Sequence, residues 1–328
     1  MALLFTEFRV KGLRLKNRVA MPPMANNLAT EAGEVTPPLV EHYATRAESL
    51  GLIIVEHAYV VREGRIHPNQ LGVHDDRLVA GLRRITEAVH AAGGRGALQI
   101  THGGAAAPAA VIGQVPVAPS PVPHPLGGDQ PRELRRDEIP GLVEAFARAA
   151  RRVQEAGFDA VEVHGAHGYL LNQFFSPLTN RRTDEYGGNR ERRLGFPLAV
   201  VRAVRQAVGP EYPVFYRLGA DDRLPGGLTV DDAVWAAPLL AEAGVDLLDL
   251  SGGICGSRPE GLNGQGYFSY LSAAVKQVSP VPVLVTGGIT EPRAAEDLLR
   301  QGKTDLVGVG RALLKDPDWA VKAKAALA

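Results

Sequence analysis

The chain has 328 residues, 45% of them hydrophobic, with Lys+Arg and Asp+Glu both at 36 and a formal net charge of zero. This is the composition of a globular protein, and the balanced charge gives no reason to expect nucleic acid or an anionic membrane as a partner. A single cysteine, Cys255, excludes an internal disulfide, a cysteine-ligated iron–sulfur cluster and a multi-cysteine zinc site.

No apolar run approaches the ~18 residues of a transmembrane helix. The opening Met1-Ala-Leu-Leu-Phe-Thr-Glu-Phe-Arg9 lacks the basic start and long apolar core of a signal peptide, so a cytoplasmic location is expected. Phe5–Asn17 reads as a short hairpin around Lys11-Gly12, placed to plug the bottom of a barrel. Eight short apolar, strand-like runs follow: Arg18–Met24, Gly51–Glu56, Ala97–Thr101, Ala160–His164, Val214–Arg217, Leu247–Ser251, Val283–Thr286 and Leu306–Gly310. Stretches with helical spacing separate most of them, such as Ile139–Ala156, Arg192–Val208 and Pro292–Gln301. Gly157 and Gly244 stand where two helices need a C-terminal cap.

Eight strand–helix units in one register predict an α/β fold, a single (β/α)8 TIM barrel spanning residues 1–328. An open doubly wound sheet would need a glycine-rich turn after its first strand, where this chain has Met21-Pro22-Pro23-Met24. The third and fourth strands are separated by an unusually long stretch, Gly103–Glu133, rich in Ala, Pro and Gly. Such a segment after a barrel strand is expected to be a lid or capping loop.

Polar residues gather at the strand ends: His57, Gln99, His102, His164, His167, Arg217, Ser251, Gly287-Gly288 and Gly310-Arg311. A purely structural barrel needs no such collection on one face, and the C-terminal face is where barrel active sites form. Glycines ending the last two strands expose backbone N–H groups where barrels bind phosphate, and Arg311 adds a matching fork. His164 and His167 are three apart, unlike the His-x-His spacing of barrel metal sites, so a metal-dependent hydrolase using this pair is the less favoured reading. Two imidazoles donating to one substrate oxygen fit better, with the Tyr169 hydroxyl facing the same cavity to deliver a proton. Glu162 points inward below His164, and Arg217 on the next strand is its expected partner.

At these residues the sequence resembles the Old Yellow Enzyme family of FMN-dependent ene-reductases, almost end to end. The matching stretches are Lys16–Met24, Gly51–Glu56, Gln99-Ile-Thr-His102, His164–Gly188, Tyr216–Asp221, Gly226–Thr229 and Asp305–Arg311. The resemblance implies that Pro22, Pro23, Met24 and Ala25 back the flavin, with His57 beside it, and that Gln99 and Arg217 bond its pyrimidine edge. Gly287, Gly288, Gly310 and Arg311 would hold the phosphate. His164 and His167 would grip a substrate carbonyl, Tyr169 would protonate Cα, and Asn27 and Tyr267 would shape the substrate pocket. The implied cofactor is FMN, with NADPH or NADH as reductant in a ping-pong cycle and a small activated alkene as substrate. A homo-oligomer is compatible with the resemblance, and a flavin-binding barrel with a non-reductive role is the other alternative.

Three positions depart from the thermophilic-like branch that the chain otherwise resembles. Ala25 stands where that branch usually has cysteine, and Asn27 where it commonly has tyrosine. His57 replaces a normally small residue, and its imidazole either hydrogen-bonds flavin or substrate or turns away. On the same resemblance, the chain corresponds to only the barrel of the larger dienoyl-CoA reductases.

Overall fold

The computed structural model describes residues 2–328. It opens on an antiparallel hairpin, β1 (Phe8–Val10) and β2 (Leu13–Leu15), which turns at Lys11 and Gly12. The barrel strands follow as β3 (Val19–Met21), β4 (Leu52–Tyr59) and β5 (Gly96–Thr101). After a detour containing β6 (Val117–Ala118) and β7 (Arg132–Glu133) come β8 (Ala160–Gly165), β9 (Val214–Gly219), β10 (Leu247–Ser251), β11 (Val283–Thr286) and β12 (Leu306–Gly308). These eight pair in parallel, in the order β3-β4-β5-β8-β9-β10-β11-β12, and β12 returns to β3 to close the barrel. Every expected barrel strand is present. The first ends at Met21 rather than Met24, because Pro22 and Pro23 have no N–H to give a ladder.

The surrounding helices are α1 (Pro37–Ala47), α2 (Val79–Ala91), the short α3 (Ala109–Ile112), α4 (Ile139–Glu155), α5 (Leu170–Phe175) and α6 (Arg190–Val208). They continue as α7 (Val230–Ala243), α8 (Ser269–Lys276), α9 (Pro292–Arg300), α10 (Arg311–Lys315) and α11 (Trp319–Ala326). Their apolar faces form the larger core against the outer face of the barrel. Gly157 and Gly244, at φ +86° and +119°, adopt the left-handed conformation expected where α4 and α7 end. No helix among the described residues is long and apolar enough to cross a membrane.

Alternation along each strand sorts the barrel interior into levels. The lowest is apolar: Ala20, Leu52, Ala97, Ala160, Phe215, Leu247, Leu284 and Leu306 bring one residue from each strand. Val10, Leu13 and Leu15 of the hairpin pack into this same cluster, so β1 and β2 seal the lower end as the sequence suggested. One step up, Gln99, Glu162, Arg217 and Asp249 replace hydrophobic residues, and all four are buried. The chain thus fills its barrel with hydrocarbon below and with polar groups above.

The segment after β5 is less irregular than its composition indicates, since it holds α3 and the paired β6 and β7. The Gln173 Nε2 donates to Gly103 O at 3.0 Å, and Ala105 N donates to Gln173 Oε1 at 3.0 Å. Arg182 Nη1 donates to Pro119 O at 3.0 Å. These bonds tie the segment to the stretch that follows Tyr169.

Candidate active site

A cavity of about 330 Å³ opens on the C-terminal side of the barrel. Its wall contains Pro22, Pro23, Met24, Ala25, His57, Gln99, His164, His167, Tyr169, Arg217, Tyr267, Gly288, Gly310 and Arg311, bringing together residues from all parts of the sequence. Asn27 and Gly287 are not part of that wall, and neither is any residue of the 103–133 segment. His102 is also withdrawn: it is fully buried, and its Nδ1 accepts from Gly104 N at 3.0 Å. The wall further includes His67, Ser257, Arg258, Thr286, Ile289, Thr290 and Leu314, which sequence reasoning did not single out.

The three-residue spacing of His164 and His167 would separate them on a strand, but the chain leaves β8 at Gly165. His167 (φ +57°) and Gly168 (φ +70°) then wind left-handed, and the His164 and His167 ring centroids come to 5.0 Å. Gly168 is required there, since a Cβ would lie 2.0 Å from His124 Nε2. Tyr169 precedes α5 with its ring 4.8 Å from that of His164. Ala166 N donates to His164 Nδ1 at 3.2 Å, which leaves the proton of the neutral ring on Nε2. His167 Nε2 lies 2.7 Å from Ser251 Oγ. Burial holds both imidazoles well below their usual pKa and pushes the Tyr169 phenol up to about 12. The cluster is therefore two neutral rings beside a protonated phenol. Among the described residues no group of three His, Cys, Asp or Glu side chains is gathered to hold a metal ion.

A register shift in β4 aims His57. Val55 pairs with Leu98 and Ala58 with Ile100, so β4 carries one residue more than β5 across this interval. Glu56 turns toward α1, where its Oε2 accepts from Asn26 N at 2.8 Å and its N donates to Tyr43 Oη at 3.0 Å. Burial raises the Glu56 carboxyl to about 7. His57 turns into the cavity, its ring 5.6 Å from Tyr169 and 6.1 Å from His164. The Gln70 Oε1 accepts from Ile66 N at 2.6 Å, so its amide nitrogen faces the other way and donates to both His57 O and His57 Nδ1, each at 2.8 Å. With Nδ1 accepting, the proton of His57 sits on Nε2. Burial lowers this ring to about 3, and it stays neutral. Gln70 was missed from sequence because its role depends on an amide held by a distant turn.

The expected Glu162–Arg217 ion pair is not formed among the described residues. Arg217 Nε lies 3.2 Å from Asp249 Oδ2 on β10, while Glu162 Oε1 accepts from Gln99 Nε2 at 2.8 Å on the other side. In register Arg217 stands opposite Asp249 on β10 and His164 on β8, while Glu162 stands opposite Phe215. The alternation Leu247-Leu-Asp249-Leu-Ser251 held the signal for this inward carboxylate.

At the far end of the cavity the glycines allow close approach. A Cβ on Gly288 (φ +66°) would meet Gly264 O at 2.6 Å, and one on Gly310 would meet Met24 Sδ at 3.0 Å. Arg311 and Arg258 have no salt-bridge partner among the described residues.

The chain is a TIM barrel closed below, with neutral imidazoles, a phenol and an arginine gathered around a cavity at its C-terminal face. Comparisons make this specific. Residues 3–328 match the model of the NADH:flavin oxidoreductase / NADH oxidase family, and the chain belongs to that family. It is 45% identical over 328 residues to the NADH oxidase of Thermoanaerobacter brockii, matching 98% of this chain and 50% of that protein. It is 39% identical over 319 residues to an NADPH dehydrogenase of Geobacillus sp. strain WCH70, matching 97% of this chain and 92% of that one. The chain thus spans about half the length of the first relative and nearly all of the second. Among solved structures, morphinone reductase in complex with tetrahydroNAD superposes with a TM-score of 0.86 at 33% identity, covering 99% of this chain and 91% of the other.

Proposed function

We propose that the protein is an FMN-dependent ene-reductase, which reduces the C=C bond of α,β-unsaturated carbonyl compounds with NADPH or NADH. The observation that carries this reading is the trio His164, His167 and Tyr169, gathered on a cavity whose other walls suit a flavin. The fit rests on several features of the chain. No nitrogen of Arg217 has an aligned hydrogen-bond partner among the described residues, and Thr286 Oγ1 in the wall is buried without one. Gly288 and Gly310 keep space that any side chain would close. Gln99 and Arg217 would hold the pyrimidine edge, Pro22, Pro23, Met24 and Ala25 would back the ring, and Gly288, Gly310 and Arg311 would hold the phosphate.

Bound FMN supplies the hydride chemistry. His164 donates from Nε2 to the carbonyl oxygen of the alkene, with His167 beside it, and this draws electron density from the double bond. Tyr169, held protonated by burial, gives its proton to Cα. The hairpin and apolar floor close the lower end, so reductant and alkene share one opening and react in turn.

The purified protein should be yellow, lose its colour anaerobically with NADPH, and regain it on addition of cyclohexenone. A colourless, zinc-containing preparation would overturn the reading in favour of a hydrolase, and colour that never returns with any enone would favour a non-reductive flavoprotein.

A further inference from the structure

Beneath the cavity, the consecutive strands β5, β8, β9 and β10 each turn one polar side chain inward: Gln99 stands opposite Glu162 and, two residues further along the register, Arg217 stands opposite Asp249. Their exposures are 1%, 0%, 3% and 0%. Two carboxyl groups and a single cation therefore lie out of reach of bulk solvent, with hydrocarbon below. Were both ionised, the layer would hold an uncompensated negative charge, which is costly enough at full burial to be relieved by taking up a proton.

We propose that this layer sets the redox potential of the bound flavin. Glu162 carries a proton and, as a neutral acid, fixes the amide of Gln99; Asp249 stays ionised and partly cancels the charge that Arg217 presents to the cavity. Both are positioning residues, since neither lines the cavity, and the inference rests on the flavin reading above.

The neighbours assign the charges. Asp249 has the guanidinium at 3.2 Å, whereas Glu162 has only the Gln99 amide on Oε1 and no partner on Oε2. The other titratable groups toward the cavity are His57, His67, His164 and His167, whose pKa burial lowers, Tyr169, which keeps its proton, Tyr267, and the cations Arg258 and Arg311 further out in the wall. Ser251 and Thr286 on β10 and β11 carry no charge, so Arg217 is the single cation of the layer. Burial raises both carboxyls.

A flavin gains negative charge on reduction. Arg217 favours the reduced form, and an ionised Asp249 subtracts from that effect. The amide of Gln99 gives one N–H to Glu162 and keeps its oxygen and its other N–H for the ligand, in an orientation that a neutral acid or an amide at 162 preserves equally.

The two carboxyls therefore give opposite predictions in a spectroelectrochemical titration of the flavin-loaded protein at pH 8. Asp249→Asn should move the midpoint potential positive. A tenfold gain in preference for reduced over oxidised flavin corresponds to about 30 mV for a two-electron couple. Glu162→Gln should leave the potential where it is. A positive shift in Glu162→Gln with none in Asp249→Asn overturns the assignment, as do equal shifts in both or none in either. Should Asp249→Asn fail to fold, infrared spectroscopy of the wild-type holoprotein and Glu162→Gln decides: the C=O stretch of a protonated, buried carboxylic acid should be present at pH 8 and lost in Glu162→Gln. Its persistence in that variant overturns the proposal. A purified protein that binds no flavin defeats the functional reading itself; a flavoprotein with the wrong pattern of shifts defeats only this inference.

Discussion

Tyr169 and His57 flank His164 on two sides, one offering a phenol and the other an N–H whose position is dictated by Gln70. Removing the phenol in Tyr169→Phe should slow alkene reduction on the order of 100-fold, within the usual range for a general acid. Flavin reduction by NADPH should be nearly unchanged. Stopped-flow measurement of the two half-reactions checks this, and equal losses in both would remove the acid role. His57→Phe keeps an aromatic ring but removes a neutral donor, worth about 1 kcal/mol. A phenol used as a carbonyl mimic should therefore bind roughly fivefold more weakly in an absorbance titration. Gln70→Leu should weaken it in the same direction, because the ring loses the partner that keeps its proton on Nε2. Unaltered phenol binding in both variants would mean that the His57 N–H serves no ligand. The residue types at this site were legible in sequence, but their orientations were not. The Glu162–Arg217 expectation failed because strand alternation fixes the face of a side chain and leaves its register open, and the register sets Arg217 opposite His164 and Asp249.

At the scale of elements, the hairpin and the β4 bulge do different work. β1 and β2 contribute no residue to the cavity wall, yet Val10, Leu13 and Leu15 fill the bottom of the barrel. Leu15 is fully buried, and Leu15→Ala should cost about 2–5 kcal/mol, as large-to-small changes in a packed core do. Denaturant unfolding measures this, and a loss below about 1 kcal/mol would show that the lower end can collapse around the gap. The bulge reverses the alternation that runs up from Ile54, so that His57 and not Glu56 faces the cavity. Sequence periodicity located all eight barrel strands because each is a short apolar run with its own punctuation. It located neither the bulge, which is one residue out of step, nor β6 and β7, which at two residues each are too short to show alternation. The 103–133 segment, expected from its length to cap the barrel, is tied by hydrogen bonds to Gln173 and Arg182 in the stretch that follows Tyr169.

For the whole molecule, the unusual quantity is the number of neutral imidazoles. Burial depresses the pKa of His42, His57, His67, His74, His102, His124, His164 and His167. An unfolded chain protonates such groups from about pH 6.5 downward while the native chain does not, so stability is lost as pH falls from there toward the depressed native values. For a fully buried ring such as His57, lowered to about 3, or His102, lowered to about 4, the loss is about 1.4 kcal/mol per pH unit across that window. Four buried carboxyls, Glu56, Glu162, Asp222 and Asp249, have raised values and act in the opposite sense, contributing at low pH and losing effect as pH rises. Eight groups outweigh four, so the thermal midpoint of the purified protein should fall between pH 7 and pH 5. A rise over that interval would contradict the neutral imidazoles.

The hairpin plug also constrains how the chain reaches this state. Leu306, on the last strand, shares the floor cluster with Val10, Leu13 and Leu15, and the N–H of Leu3 donates to Glu296, 293 residues further along the chain. During synthesis the plug emerges before any of the strands it must seal, so its leucines and valine wait unburied while the ribosome delivers all eight strands of the barrel. Contacts of such long sequence separation form slowly. The hairpin, made before the barrel strands, is thus among the last elements to find its place, and the nascent barrel is most exposed to aggregation until the final strand closes the ring.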